Sequence, residues 1–324
     1  MKKNKKISEK YIINKYLKNL HFNKVETFNF KNDAAYLKIP KNKQLVVTND
    51  TITESVDFFK NDPPESLANK IITYNLSDIS SMGATAYSYT LSLCLPKNTN
   101  DIWLNKFTKK LFLLQKKYNF FLIGGDLSTS SKIIISSNFF GFVPKGKILS
   151  RTGANINDDI WVTGTIGDSS IGLKIKQKKI KINNIDKKYF LRKYLFPKHS
   201  SIGNKIINHA SSAIDISDGF FGDLENLIDD KKIGASIYSN KIPLSNQSKK
   251  LIRKKVVNID YLMSAGDDYE LIFTANSKKL LMIKLLAKNN NIKITKIGKI
   301  IEKKGIYLDN KRIKLINKSF EHFF

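Results

Sequence analysis

The chain has 324 residues, 41% of them hydrophobic, enough for a sizeable buried core and for two domains of ordinary size. Its formal charge is +28, yet only Arg151, Arg192, Arg253 and Arg312 are arginine and the lysines are spread through every region, a solvated surface rather than the arginine-rich footprint of a nucleic-acid reader. No apolar run is long enough to span a bilayer, and a single cysteine, Cys94, excludes an internal disulfide and a cysteine-built metal site, so a cytoplasmic protein with no nucleic-acid or membrane partner is expected.

The basic start carries Ile7, Tyr11, Ile12, Tyr16 and Leu20 at helical spacing. Ser8, Glu9, Lys10, Asn14 and Lys15 interrupt them, so an amphipathic helix is predicted rather than a signal peptide. Ala35, Leu37 and Ile39 alternate like a strand, and Leu45-Val46-Val47 opens another. Pro63-Pro64-Glu65 starts a helix that runs toward Met82 and stops at Gly83. Tyr87, Tyr89, Leu91, Leu93 and Leu95 alternate as a half-buried strand up to Pro96. A second long helix spans about Ile102 to Tyr118. Phe120 to Ile123 and Ile133 to Val143 read as further strands.

Pro144-Lys145-Gly146-Lys147 is the boundary candidate, dividing the chain into domains 1–146 and 147–324. Beyond it Asp159 to Val162 reads as a strand, followed by the glycine-spaced segment Gly164-Thr165-Ile166-Gly167-Asp168-Ser169-Ser170-Ile171-Gly172 and a helix. That spacing does not match a dinucleotide loop, so a tight strand-to-helix turn is expected there. The fold class is α+β: two domains, each a sheet with helices on one side.

In so basic a chain, aspartates among small or apolar neighbours stand out. Thr48-Asn49-Asp50 is expected to follow a strand, and Asp78 to lie on the helix ending at Gly83. Gly124-Gly125-Asp126 is expected to come off a strand end, and Asp215-Ile216-Ser217-Asp218-Gly219 places two carboxylates three residues apart. Magnesium takes oxygen ligands, few of them carboxylates, with water and substrate phosphates completing its shell. Dispersed aspartates therefore suit ATP chemistry, although a single strand-end aspartate is more often a turn or cap residue. Walker-type phosphate loops, protein-kinase catalytic loops and nucleophile triads are absent from the sequence.

Read in order, the segments resemble the thiamine-monophosphate kinase family. The matching blocks are N-D-A-A-Y-L at 32–37, N-D-T at 49–51, N-L-S-D-I-S-S-M-G-A at 75–84 and I-G-G-D at 123–126. They continue with G-F-V-P at 141–144, S-R-T-G-A at 150–154, V-T-G-T-I-G-D-S at 162–169, A-I-D-I-S-D-G at 213–219 and G-D-D-Y-E-L at 266–271. The ending Phe320-Glu321-His322-Phe323 matches an aromatic-acidic-His-Phe pattern.

The resemblance implies a two-domain fold like aminoimidazole-ribonucleotide synthetase. Its N-terminal domain binds ATP and metal and pairs with its copy in a homodimer, and its C-terminal α/β domain closes over the site. It implies direct transfer of the ATP terminal phosphate to thiamine monophosphate with Mg2+, which needs positioning and charge neutralisation rather than a protein nucleophile. By position, Asp33, Thr48, Asn49, Asp50, Asp78, Asp126, Asp215 and Asp218 fall on metal ligands, and Gly125, Asp126, Arg151 and Ser217 on ATP contacts. Asp57, Asp267 and Phe320 fall at the substrate.

The departures from the family pattern cluster at the substrate. Lys31-Asn32-Asp33 stands for Gly-Asp-Asp, Asn49 for Thr, Asp57 for a substrate-contacting His, Asp267 for Glu, and Phe320 for Trp or Tyr. Two other readings stand beside the kinase: another ATP-using synthetase of the same superfamily, or a decayed, non-catalytic dimeric homologue.

Overall fold

A computed structural model describes residues 7–229 and 232–313. Two compact units divide the chain. One gathers the chain up to Ile79 with Thr85–Lys145, and the other gathers Ser80–Ala84 with the chain from Gly146 onward.

In the first unit, α1 (Glu9–Ile12) starts at Ser8, whose hydroxyl accepts the Tyr11 N–H, and the chain stays helical with changing pitch as far as His21. There follow β1 (Lys43–Thr53), α2 (Pro64–Ser81), β2 (Thr85–Leu95), α3 (Asp101–Tyr118), β3 (Phe121–Thr129) and β4 (Ile134–Pro144). The sheet order is β1-β4-β2-β3, with β4 antiparallel to both neighbours and β2 parallel to β3. Parallel neighbours need a crossover, and α3 supplies it. The Asn100 side chain caps α3 by accepting the Trp103 N–H, and Asn119 ends it in the left-handed conformation.

Alternation along β4 buries Ile135, Ser137, Phe139 and Val143 on one face. There the Phe139 ring stacks on Tyr89 at 5.0 Å and meets Phe120 at 5.1 Å. The other face is only half covered. It carries Val47, 53% exposed, and a polar ladder in which Asn49 donates to Asn138 (2.9 Å) and Asn138 donates to Thr90 (3.0 Å).

Three local expectations need correction. Residues 34–40 form no strand: Ala35 and Leu37 are half-buried, but the Tyr36 N–H bonds to the Glu26 carbonyl instead of to a sheet partner. Alternation records one buried side, which an unpaired extended segment also provides. Thr48-Asn49-Asp50 lies inside β1 rather than after it, and Asp126 lies inside β3 rather than beyond its end. In both strands the polar residues continue the ladder, because backbone pairing does not depend on side-chain polarity.

In the second unit the order is β5 (Asp159–Thr163), α4 (Asp168–Lys176), α5 (Asn184–Leu195), α6 (Gly203–Ile206), β6 (Ser212–Asp215), α7 (Phe220–Ile228) and β7 (Gly234–Ile237). Then come α8 (Asn246–Arg253), α9 (Ile259–Ser264), β8 (Leu271–Ala275), α10 (Leu280–Asn289), β9 (Ile294–Ile301), β10 (Gly305–Leu308) and β11 (Lys311–Arg312). They build a seven-stranded sheet, β11-β10-β7-β9-β5-β8-β6. Every residue of β5, β6 and β8 is buried.

The alternating side chains of these strands feed two separate clusters. Ile160, Val162, Ile214 and Ile272 join Ile171 of α4 and Phe220 and Leu224 of α7. Trp161, Ala213, Leu271 and Phe273 join Ile206 of α6 and Ile283 of α10. Helices therefore cover both faces of this sheet, not one, which is why its central strands read as unbroken apolar runs. Among the described residues no helix is long and apolar enough to cross a membrane.

Candidate active site

In the first unit the expected ligands fall into two groups. Thr48 and Asp50 share the helix-covered side of β1, and the Thr48 hydroxyl donates to Asp78 Oδ2 of α2 at 2.5 Å. Asp33, Gly125 and Asp126 line a cavity of about 210 Å3 with Glu9, Ile13 and Asn32. The groups occupy opposite edges of the sheet, since β4 and β2 lie between β1 and β3. Three strand spacings put them about 14 Å apart. Asn49 sits on the other face of β1, where its amide serves the ladder to Asn138.

Gly125 has a structural reason of its own. A Cβ there would stand 1.9 Å from the Leu91 carbonyl oxygen of the neighbouring strand, so no larger residue fits.

Asp57, expected at the substrate, is engaged in a turn. Its Oδ2 accepts the Thr53 N–H at 2.7 Å, and the buried Lys70 of α2 donates to its backbone carbonyl at 3.0 Å. A turn of this kind is what aspartate does well.

In the second unit the blocks around Asp215 and Asp267 are joined by their backbones. Asp215 ends β6 and is 7% exposed. The Asp267 N–H donates to the Ser217 carbonyl at 2.8 Å, the Tyr269 N–H to the Ile216 carbonyl at 2.8 Å, and the Ile216 N–H to the Glu270 carbonyl at 2.7 Å. The Asp267 carboxylate accepts the Tyr269 hydroxyl at 2.7 Å, with the backbone at φ +68°. Arg151 opens a short 3-10 turn capped by Ser150, and its side chain is exposed. The structure thus brings Ser217 and Asp267 together. Phe320 lies outside the described residues.

Sequence reasoning missed the acids that hold these loops. Asp223 of α7 is buried, and its Oδ2 accepts the N–H groups of Ser217 (3.1 Å), Asp218 (3.2 Å) and Gly219 (3.2 Å). Burial pushes its carboxyl up to about 8, and repulsion from Asp215 and Asp218 adds to the rise. An acid in the first turn of a helix is favoured by the N–H groups and dipole at that end, and Asp223 stands there in the sequence.

Asp268 and Glu270 hold the turn at 163–168. The Gly167 N–H donates to Asp268 Oδ2 at 2.6 Å, and the Thr163 hydroxyl donates to Glu270 Oε2 at 2.6 Å. Burial raises both carboxyls above their usual range. Asp168 is buried under hydroxyls from Thr165, Tyr189, Ser245 and Ser248 at 2.6–3.0 Å. The glycine-spaced segment is accordingly a strand-to-helix turn clamped by three acids.

Among the described residues no three acidic, histidine or cysteine side chains form a ready metal cage. The donors present are carboxylate and hydroxyl oxygens. Asp215 and Asp218 also crowd negative charge around Asp223. Oxygen donors in small numbers fit magnesium, which keeps waters and binds substrate phosphates instead of filling its shell with protein.

Comparisons with known proteins bear on the family and the fold. The family model described as AIR synthase related protein, N-terminal domain, matches residues 31–143, and its C-terminal counterpart matches residues 155–310. The thiamine-monophosphate kinase of Buchnera aphidicola subsp. Acyrthosiphon pisum (strain APS) is 39% identical over 327 residues, spanning 98% of this chain and 99% of its own. The chain belongs to the thiamine-monophosphate kinase family. The crystal structure of the family's protein from Stenotrophomonas maltophilia superposes with a TM-score of 0.81 at 30% identity, over 87% of this chain and 90% of that one. A structure described as AaThiL complexed with AMPPCP and TMP gives 0.79 at 29% identity, over 90% and 91%. The two-domain α+β fold expected from the sequence is that of the family.

Proposed function

We propose that this protein transfers the terminal phosphoryl group of ATP to thiamine monophosphate, giving thiamine diphosphate and ADP, with Mg2+ as cofactor. We place it in the cytoplasm as a homodimer. One observation carries the reaction: the likeness over 90% of the chain to the structure complexed with AMPPCP and TMP. AMPPCP stands in for ATP with a methylene at the bridge that ATP breaks.

In the reaction a phosphate oxygen of thiamine monophosphate bonds to the γ-phosphorus as the bridge to ADP breaks. No protein nucleophile is needed, so the protein's task is to position reactants and offset charge. Magnesium, when bound, neutralises charge on the transferring phosphate oxygens.

We assign metal and phosphate binding to Asp33, Thr48, Asn49, Asp50, Asp78 and Asp126 of the first unit and Asp215 and Asp218 of the second. Gly125, Arg151 and Ser217 are assigned to ATP, Arg151 because a guanidinium forks onto phosphate oxygens. Asp57, Asp267 and Phe320 are assigned to the substrate. The half-covered sheet face around Val47, with Phe140 and Phe142 on the adjoining strand, supports pairing of the first unit with its copy.

The test is turnover of ATP by the purified protein with magnesium, with and without thiamine monophosphate, scoring thiamine diphosphate directly. Product that requires all three components is expected. ATP binding without product would overturn the assignment of substrate.

A further inference from the structure

The loop Asp215-Ile216-Ser217-Asp218-Gly219 is held from two sides. On one side the N–H groups of Asp267 and Tyr269 fix the carbonyls of Ser217 and Ile216 at 2.8 Å. On the other, a single carboxylate oxygen of Asp223 collects three successive N–H groups at 3.1–3.2 Å. Gly219 turns at φ +126°, and the Asp223 N–H returns to the Gly219 carbonyl at 3.0 Å. Asp223 is 2% exposed. Three N–H groups converging on one oxygen form a nest, the geometry by which backbone holds an anion. Here the acceptor is a carboxyl oxygen of the chain itself.

We infer that Asp223 is a positioning residue: its carboxyl oxygen fixes the backbone of Ser217, Asp218 and Gly219, and with it the direction in which the Ser217 and Asp218 side chains are presented to the nucleotide and its metal. This rests on the proposed kinase reading for what those side chains bind. A carboxyl presents only oxygen to these donors, whereas the amide of an asparagine can also turn its NH2 group, which cannot accept, toward them. The position also demands the length of aspartate. One more methylene would carry the oxygen past the three donors.

The experiment compares wild type with Asp223→Asn, and with Asp186→Asn as a control. Asp186 is also a buried acid of the second unit, but its partners are Asn183 and Lys250. Two readouts are taken: amide hydrogen exchange at residues 217–219 without ligands, and the magnesium dependence of turnover. For Asp223→Asn, exchange at those amides is expected to accelerate, and the half-saturating magnesium concentration to rise about tenfold or more, as losing an outer partner of a metal ligand typically does. The KM for thiamine monophosphate should move less. Asp186→Asn should lower the Tm and leave both readouts in place.

Unchanged exchange at 217–219 overturns the inference, whatever the activity. Faster exchange with an unchanged magnesium midpoint also overturns it, since Asp223 would then only support the fold. If wild type makes no thiamine diphosphate, the kinase reading fails on its own. The magnesium-dependent shift in Tm then replaces turnover, and an equal shift in wild type and Asp223→Asn would sink the inference. Should Asp223→Asn not fold, Asp223→Glu keeps the carboxyl but misplaces the oxygen, and the same outcomes decide.

Discussion

The Thr163 hydroxyl donates to Glu270 Oε2 at 2.6 Å and accepts the Leu271 N–H at 2.9 Å, so one side chain ties the end of β5 to the start of β8. The Glu270 carboxyl lies where a side chain on Gly164 would be: a Cβ there would stand 1.8 Å from Oε1, and the backbone is at φ +57°. Glycine at 164 and glutamate at 270 therefore depend on each other.

Gly164→Ala should cost roughly 2–4 kcal/mol, from overpacking together with a left-handed backbone that alanine disfavours. Glu270→Ala in the same chain should recover part of that loss. The check is a double-mutant cycle by denaturant unfolding, in which strictly additive losses would mean that the two positions do not meet.

Asp268 gives a pH signature. Burial raises its carboxyl well above the usual range, so its contribution to stability is complete below the unfolded value, about 3.9, and is lost as pH rises toward the folded value. Asp268→Asn keeps an acceptor for the Gly167 N–H and removes the titration. Relative to wild type, the Tm of the variant should climb as pH goes from 4 to 8. A difference that stays flat with pH would show that Asp268 ionises normally.

Asp57→His introduces the residue type that the family resemblance implies for this position. It should lower the KM for thiamine monophosphate, since a carboxylate there repels a phosphate. It should also lower stability by about 1 kcal/mol, because the Thr53 N–H loses its acceptor. Steady-state kinetics and thermal melting separate the two effects. A raised or unchanged KM would place residue 57 away from the substrate.

Asp126→Asn and Asp218→Asn should each lower kcat by about a hundredfold or more, the usual scale for losing a group that stabilises transition-state charge. Circular dichroism should show the fold intact. Near-normal turnover in either variant would remove that aspartate from the metal site.

Much of the fold was legible because its signals are local. Pro64 and Gly83 bracket α2, and period-two alternation marks β2. The alternation at 35–39 misled because half-burial without pairing leaves the same trace. The acids of the site were visible as residue types, but their partners were not. Asp268 meets Gly167 across 101 positions, and Thr48 meets Asp78 across 30, separations that no local pattern encodes.

The sequence alone determined the family, the α+β class and the segments that carry the aspartates, because motif spacing and hydrophobic period are written along the chain. Only the tertiary structure decided that Asp57 closes a turn, that Gly125 answers to the Leu91 carbonyl, and that Asp223 grips the 215–219 loop. Those roles depend on which groups a folded backbone brings within about 3 Å of each other, the reach of a hydrogen bond.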